Sequence, residues 1–182
     1  MGWPNNFAEY AYDSNGNVVG LVGTGGVTYS LVRYPIQLLK SSGTAVSSTT
    51  TGADDVLASY VIPAGTMGVN SQLQIEPCWD YTSSANNKIL KVIVGGVTVF
   101  TRTRALFLRD APLIVLMNKN SLTSQIAPYD WQPGYLAAMS NSSASYAIDF
   151  STDVTVQITG QRANAGDTLA LSYYRIMHIA GA

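Results

Sequence analysis

Strict alternation of apolar and polar residues is the feature of this sequence that most constrains its fold. Residues 72–81 and residues 154–159 each place an apolar residue at every second position. Because every second side chain of a β-strand points to the same face, this pattern indicates strands with one buried face and one solvated face. No segment shows a helical period, so we expect a chain built from strands.

Short apolar runs recur along the chain at the spacing of about 8–12 residues that is typical of sandwiches and barrels. Turn signals separate them, among them residues 63–68 and the pair Gly95-Gly96. Pro77 lies inside one run and predicts an edge position or a bulge there. Roughly eight strands follow residue 53, which predicts an all-β, antiparallel two-sheet sandwich of the jelly-roll kind.

The N-terminal residues follow a different pattern, and we place a boundary after residue 52. Residues 7–12 and 18–22 flank an Asn-Gly turn signal and predict a short hairpin, whereas the Ser/Thr tract of residues 41–51 indicates a linker or an exposed loop. We therefore expect an extended arm and linker at residues 1–52, then a sandwich domain at 53–182. The alternative is that residues 1–52 supply the first strands of the sandwich. As an arm, this segment would contact a partner through its aromatic side chains, Trp3, Phe7, Tyr10 and Tyr12.

The low charge of the chain bears on its surface. Charged residues make up 12% of the sequence, against about 25% in an ordinary soluble domain. Such a surface is either covered by Ser, Thr and Asn or covered by partners. The net charge is −1 with a pI near 5.6, which argues against a protein that coats nucleic acid.

Neither a membrane nor a secretory pathway is indicated by the sequence. The longest apolar run, residues 111–117, is strand-sized and contains a proline. The first residues lack the basic and apolar regions of a signal peptide. We therefore expect a protein made in a cytoplasm.

Residues suited to catalysis are few and scattered. Cys78 is the single cysteine, which excludes an internal disulfide and every multi-cysteine metal site. His178 is the single histidine and predicts an exposed or hydrogen-bonded strand residue, and Cys78 predicts a buried, inert thiol. No nucleophile elbow, phosphate-binding loop or zinc-binding histidine pair occurs. We expect no enzymatic activity, no cofactor and no metal, and we interpret Asp54-Asp55 as a solvated turn.

Two clusters indicate binding. Tyr129, Trp131 and Tyr135 lie in a turn-rich segment and would stack on sugar rings, the alternative being core aromatics beside a Pro-Gly turn.

Arg102 and Arg104 form the second cluster with Arg109. On one strand, the first two share a face and would clamp carboxylates of a partner. The alternative is an edge strand kept unpaired by charge.

Residues 55–68, 73–75, 79–88 and 90–96 together resemble structural proteins of tailed bacteriophages. The resemblance covers about residues 53–100 and rests on an Ile-Pro-Ala-Gly-Thr turn and a Tyr-Thr-x-x-Ala-Asn-Asn-Lys segment. It implies a β-sandwich that assembles on the virus particle, as a head decoration or cement protein, a head fibre or a tail fibre. It carries over no catalytic residues.

The expected function is that of a capsid decoration or cement protein, held on the head exterior by its N-terminal arm. The alternative is a tail-fibre or tail-tip protein that recognises host surface glycans. The expected partners are the major capsid protein or another virion protein, and further copies of the chain in a homotrimer or dimer. Nucleic acid and membrane are not expected as partners. The expected location is the virion, after synthesis in the host bacterial cytoplasm.

Overall fold

The structure is a computed structural model that describes residues 7–12, 18–23, 28–30, 36–127 and 144–181. These residues contain strands and turns but no helix. The chain divides into two compact units, Met1–Tyr34 and Pro35–Ala182.

The first unit contains a three-stranded antiparallel sheet. Its strands are β1 (Phe7–Tyr12), β2 (Val18–Gly23) and β3 (Thr28–Ser30), in the order β1-β2-β3. Pairing of β1 with β2 confirms the predicted N-terminal hairpin.

The second unit is a sandwich of two antiparallel sheets, which confirms the predicted fold class. One sheet has eight strands and the other has four. The four-stranded sheet contains β6 (Asp55–Ile62), β8 (Lys88–Val94), β9 (Val97–Arg104) and β14 (Val154–Arg162). The eight-stranded sheet contains β4 (Ile36–Ser42), β5 (Val46–Ser47), β7 (Gln72–Tyr81), β10 (Arg109–Asp110), β11 (Ile114–Asn118), β12 (Gln125–Ala127), β13 (Ala144–Tyr146) and β15 (Leu169–Ile179).

The strand order is that of a jelly roll. The chain doubles back at the Gly95-Gly96 turn, where both glycines have positive φ, 57° and 78°, as a two-residue hairpin of type I′ requires. Four nested antiparallel pairs then follow outward from this turn: β8 with β9, β7 with β11, β6 with β14, and β4 with β15. Wound around a core, these pairs give two layers, β4-β15-β7-β11 and β6-β14-β8-β9.

The core lies between the two layers. Strand β7 alternates inward and outward along its whole length, as its sequence predicts, and its inward side chains include the fully buried Leu73, Ile75 and Trp79. Facing them from the other sheet are the inward residues of β8 and β14, among them Leu90 and Ile158. Alternation in the sequence therefore determines which face of each sheet is buried.

The boundary between the units falls after Tyr34 rather than after residue 52. Strand β4 pairs with β15 along most of its length, so residues 36–42 supply the first strand of the jelly roll. Of the two interpretations of residues 41–51, the linker is wrong because β5 pairs with β15. The exposed segment is largely confirmed, since Ser48 is the one buried residue of this tract. Strands β4 and β5 were not recognised in the sequence because most of their side chains are exposed and several are serines.

Pro77 does not mark an edge strand, but the alternative of a bulge is confirmed beside it, because the register of β15 on β7 shifts between Leu171, opposite Trp79, and Tyr173, opposite Cys78. Strand β7 has β15 on one side and both β10 and β11 on the other. Pro77 lies opposite the interruption between β10 and β11, so the missing N–H leaves no ladder hydrogen bond unmade on that side.

Asp55 is the residue that orders the Ser/Thr tract. Its carboxylate accepts hydrogen bonds from Ser48 Oγ at 2.7 Å, Thr49 N at 2.6 Å, and Thr50 N and Oγ1 at 2.9 Å each. The bond from the Thr50 backbone, followed by that from Ser48, lowers the pKa of Asp55 from 3.8 to about 2. The interpretation of this residue as a solvated turn residue is therefore wrong.

We expect Asp55→Asn to lower the stability of the fold above about pH 3.8 and to leave it unchanged near pH 2. Because the folded-state pKa is depressed, the contribution of Asp55 is complete above pH 3.8 and is lost as the pH falls towards about 2. The variant should unfold at lower denaturant than the native protein at pH 6, and the difference should disappear near pH 2. Urea unfolding at several pH values measures this, with Asp54→Asn as the control of equal charge change. A constant difference between pH 6 and pH 2 would contradict the assignment.

Candidate functional site

The most exposed apolar segment of the described surface is the loop between β9 and β10. We call residues 105–108 the apolar loop. Three consecutive large side chains, Leu106, Phe107 and Leu108, are 70%, 56% and 69% exposed. Single exposed apolar residues are ordinary on protein surfaces, whereas contiguous groups commonly mark interaction sites.

The apolar loop is held in place by its backbone. Leu106 N donates to Ser84 O at 2.8 Å, and Tyr81 N donates to Leu108 O at 2.9 Å. The loop therefore lies along the segment of residues 82–87, and its exposed side chains project from an anchored backbone.

Leu106 is unfavourable for stability on two counts. Its φ is 61°, in the left-handed region that a leucine adopts at a cost of about 1–3 kcal/mol. Its side chain is also largely in water. Neither property helps the fold, and backbone strain of this kind clusters at functional sites.

The three predicted arginines surround this loop. Arg102 Nη1 and Arg104 Nε each lie 2.7 Å from one oxygen of the buried Asp110 carboxylate. The prediction that Arg102 and Arg104 share a face is confirmed, since they bind the same group. Strand β9 is also an edge strand of the four-stranded sheet, which agrees with the alternative interpretation of the arginines as part of an edge strand.

Asp110 fixes the arginines in positions that support the loop. The Arg104 guanidinium lies 5.2 Å from the centre of the Phe107 ring, a cation–π distance. Phe107 is thus exposed and at the same time in contact with a charged neighbour.

Arg109 is the outward-facing member of the group. Its Nε lies 2.6 Å from Asp80 Oδ1, while 66% of its side chain remains exposed. Hydrogen bonding to Arg109 lowers the pKa of Asp80. Binding of a partner carboxylate by Arg102, Arg104 or Arg109 remains a prediction.

A buried ion pair supports this end of the sandwich. Lys88 is fully buried, and its Nζ lies 3.2 Å from Asp167 Oδ2, 2.6 Å from Ser84 Oγ and 3.0 Å from Asn86 O. Thr82 Oγ1 and Thr168 Oγ1 add a bond of 2.7 Å. We call the segments 82–87, 105–108 and 163–168 the three-loop end, because these bonds and those of the apolar loop join them.

Two groups of predicted binding residues fall outside the described part of the chain. Tyr129, Trp131 and Tyr135 lie in residues 128–143, and Trp3 lies in residues 1–6. The backbones of Phe7, Tyr10 and Tyr12 are in β1, but their side chains are outside the description. Their roles in binding glycans and a partner remain predictions.

The single histidine and cysteine occupy different environments. His178 is buried, and its Nε2 lies 3.0 Å from Ser71 Oγ, which confirms a hydrogen-bonded strand residue. Cys78 is partly exposed on the outer face of β7, contrary to the expectation of a buried thiol, because it alternates with the inward Trp79. Partial burial raises the pKa of this thiol.

Within the described ranges, no three His, Cys, Asp or Glu side chains gather to hold a metal ion. The same residues include no helix with the length and hydropathy to cross a membrane.

No protein-family model and no curated protein matches this sequence. Among solved structures, the chain is similar to the carbohydrate-binding module CBM36 in complex with calcium and xylotriose, at 11% identity and a TM-score of 0.35, covering 80% of this chain and 92% of that one. It is also similar to the infectious bursal disease virus VP2 subviral particle, at 15% identity and a TM-score of 0.32, covering 96% of this chain and 46% of that one. A third likeness is to the Gx strain of that virus, at 15% identity and a TM-score of 0.29, covering 86% and 44%. This chain spans less than half of the viral chains, and at such scores these likenesses do not assign a function.

The apolar loop is visible in the sequence as a short apolar run, but such a run looks the same as a buried strand. Ala105-Leu-Phe-Leu108 is a short apolar run between arginines, and such a run is usually buried. Its exposure depends on the anchoring by Ser84 and Tyr81, which only the tertiary fold provides.

Proposed function

We propose that this chain is a non-enzymatic virion structural protein that binds the exterior of a viral head as a decoration or cement protein, with the apolar loop as its point of contact. The observation that carries the proposal is the exposure of Leu106, Phe107 and Leu108 on a loop that is hydrogen-bonded to its neighbours through its backbone. A jelly roll is a fold used by viral coat and lectin domains, which agrees with this role at the level of analogy.

The loop has the properties of an anchor for a pocket in another protein. Leucine and phenylalanine side chains that enter an apolar pocket release water, and an ordered loop loses little conformational entropy on binding. Arg109, exposed beside the loop, suits a carboxylate at the rim of that pocket. The partner that fits is therefore a capsid protein with an apolar, acid-rimmed depression.

One anchor of this size gives modest affinity, and the N-terminal unit supplies a second contact in the proposal. Its aromatic residues Trp3, Phe7, Tyr10 and Tyr12 would bind a neighbouring virion protein. Two linked contacts on one particle raise the overall affinity through effective concentration.

Co-sedimentation tests the proposal. The purified full-length chain is mixed with heads of the virus that encodes it, prepared without this protein, and separately with purified tails. Saturable binding to heads at many copies per particle is expected. Binding to tails alone, or no binding to either, would contradict the proposal.

The tail-fibre or tail-tip alternative gives a different result in the same experiment. Binding to tails alone would support it, and a glycan array with the native protein and Trp131→Ala would then follow. Loss of a glycan signal in the variant would assign receptor binding to Tyr129, Trp131 and Tyr135.

A further inference from the structure

The outer face of the eight-stranded sheet is unusually apolar. Five of its large side chains are exposed over strands β4, β11 and β15 and the segment before β11: Ile36 55%, Leu38 57%, Leu113 39%, Met117 37% and Tyr173 42%. This surface is separate from the apolar loop of the three-loop end.

Strand register arranges most of these side chains in rows. One row crosses β4, β15, β7 and β11 and contains Ile36, Ile179, Gln72 and Met117, each opposite the next. The next row contains Leu38, Met177, Gln74 and Val115, each opposite the next, and Val115 is only 7% exposed. Residues opposite each other in a sheet share a face, so the rows form one apolar surface interrupted only by uncharged glutamines.

An ion pair lies on the same face, between these rows and Tyr173. Arg175 is opposite Glu76, and its Nη2 lies 2.7 Å from Glu76 Oε2. Both side chains stay partly accessible, at 43% and 27%. Positive charge is therefore on β15 and negative charge is on β7.

The outer face of the four-stranded sheet is more polar. The row across it contains Ser59, Gln157, Ile93 and Thr98. Lys91, on the same face, pairs with Asp54 at 2.6 Å. Val56 and Val61 on β6 are exposed as well, at 52% and 46%, but each has a threonine opposite it, so this is the more solvated of the two outer faces.

We propose that the outer face of the eight-stranded sheet is the contact between two copies of this chain, related by a two-fold axis that runs parallel to the strands between β7 and β15. Such an axis places each strand of one copy over its exchanged counterpart, β7 over β15 and β4 over β11. Arg175 then faces Glu76 of the second copy, and Met117 faces Ile36 of the second copy. The face is self-complementary in both charge and hydrophobicity, which is the requirement for a two-fold contact.

The size of the face sets the strength of the contact. Four strands about 4.8 Å apart and six residues of about 3.3 Å each give roughly 400 Å² per copy. A standard stable interface has about 800 Å² per partner. The dimer is therefore weak in dilute solution and forms at high local concentration.

Cys78 provides a native reporter of this contact. It lies on the outer face, two residues from Glu76, and lines a shallow pocket of about 130 Å³ with Leu113 and Tyr173. Across the proposed axis, two Cys78 Cα atoms are about 11 Å apart, given sheets that pack about 10 Å apart. That separation is too long for a disulfide but suits a short bismaleimide cross-linker.

The test is cross-linking of the full-length protein over a concentration series, with sedimentation velocity on the same samples without cross-linker. We expect a covalent dimer whose yield rises with protein concentration and a sedimentation coefficient that rises in parallel. Cys78→Ser should give no covalent dimer while sedimenting as the native protein does. A native protein that stays monomeric at the highest concentration would overturn the proposal.

Charge-reversal variants separate this contact from a general effect on folding. Arg175→Glu places two carboxylates together across the axis and should reduce dimer formation at least tenfold. The double variant Glu76→Arg/Arg175→Glu reverses both partners and should restore it. Lys91→Glu, on the solvated face, and Leu106→Asn, in the apolar loop, should both dimerise as the native protein does. Undiminished dimerisation of Arg175→Glu would overturn the assignment of this face.

Discussion

Replacing Leu106 with Asn and Phe107 with Ser should reduce binding to viral heads by at least about 30-fold, with no loss of folding stability. Central anchor residues of an interface typically contribute about 2 kcal/mol or more, which corresponds to that factor. Asparagine adopts the left-handed conformation more readily than leucine does, so the change at position 106 relieves backbone strain. Both exposed apolar side chains are removed at the same time.

The measurement is a binding isotherm of labelled protein on purified heads, with thermal unfolding of each variant alongside. Val61→Ser is the matched control, since Val61 is an exposed apolar residue, at 46%, on strand β6 of the other sheet. It should bind heads as the native protein does. Native affinity in the Leu106→Asn/Phe107→Ser variant would show that the apolar loop is not the contact.

Lys88→Met should lower the free energy of unfolding by about 3–5 kcal/mol, because it leaves the Asp167 carboxylate buried without its cation. Ser84 Oγ and Asn86 O also lose the donor that they share. Since these contacts join the three-loop end, the loss should be largest in the segments that support the apolar loop. Chemical denaturation of the native protein and the variant measures the difference.

Two further variants show whether burial is the cause. Lys91→Met removes a partly exposed pair with Asp54 and should change stability by no more than about 1 kcal/mol. Lys88→Met/Asp167→Leu replaces both buried charges and should recover most of the lost stability. Equal effects of Lys88→Met and Lys91→Met would contradict the account of the three-loop end.

The sequence predicted the sandwich because its evidence is local. Alternation in residues 72–81 and 154–159 determines strand and face together, and Gly95-Gly96 determines the turn about which the jelly roll folds. These signals need no knowledge of distant residues.

The features that the sequence did not predict depend on pairing between distant segments. Strand β4 is mostly exposed and has a polar C-terminal end, and only its partner β15 makes it part of the sandwich. The Ser/Thr tract is ordered by two residues that follow it in the chain. Asp55 accepts hydrogen bonds from the tract, and Arg162 donates hydrogen bonds to its carbonyl groups.

The candidate site was predicted in part for the same reason. The arginines were identified from their spacing, but no local pattern pointed to Asp110, the carboxylate that binds two of them. The exposure of Leu106 follows from bonds to Ser84 and Tyr81 that no local pattern encodes.

Immunogold labelling of intact virions shows directly whether this chain lies on the viral head. An antibody against this chain is applied to purified particles, and the gold is located by electron microscopy. We expect gold over the heads at many copies per particle. Gold at the tail alone, or particles without gold, would contradict it.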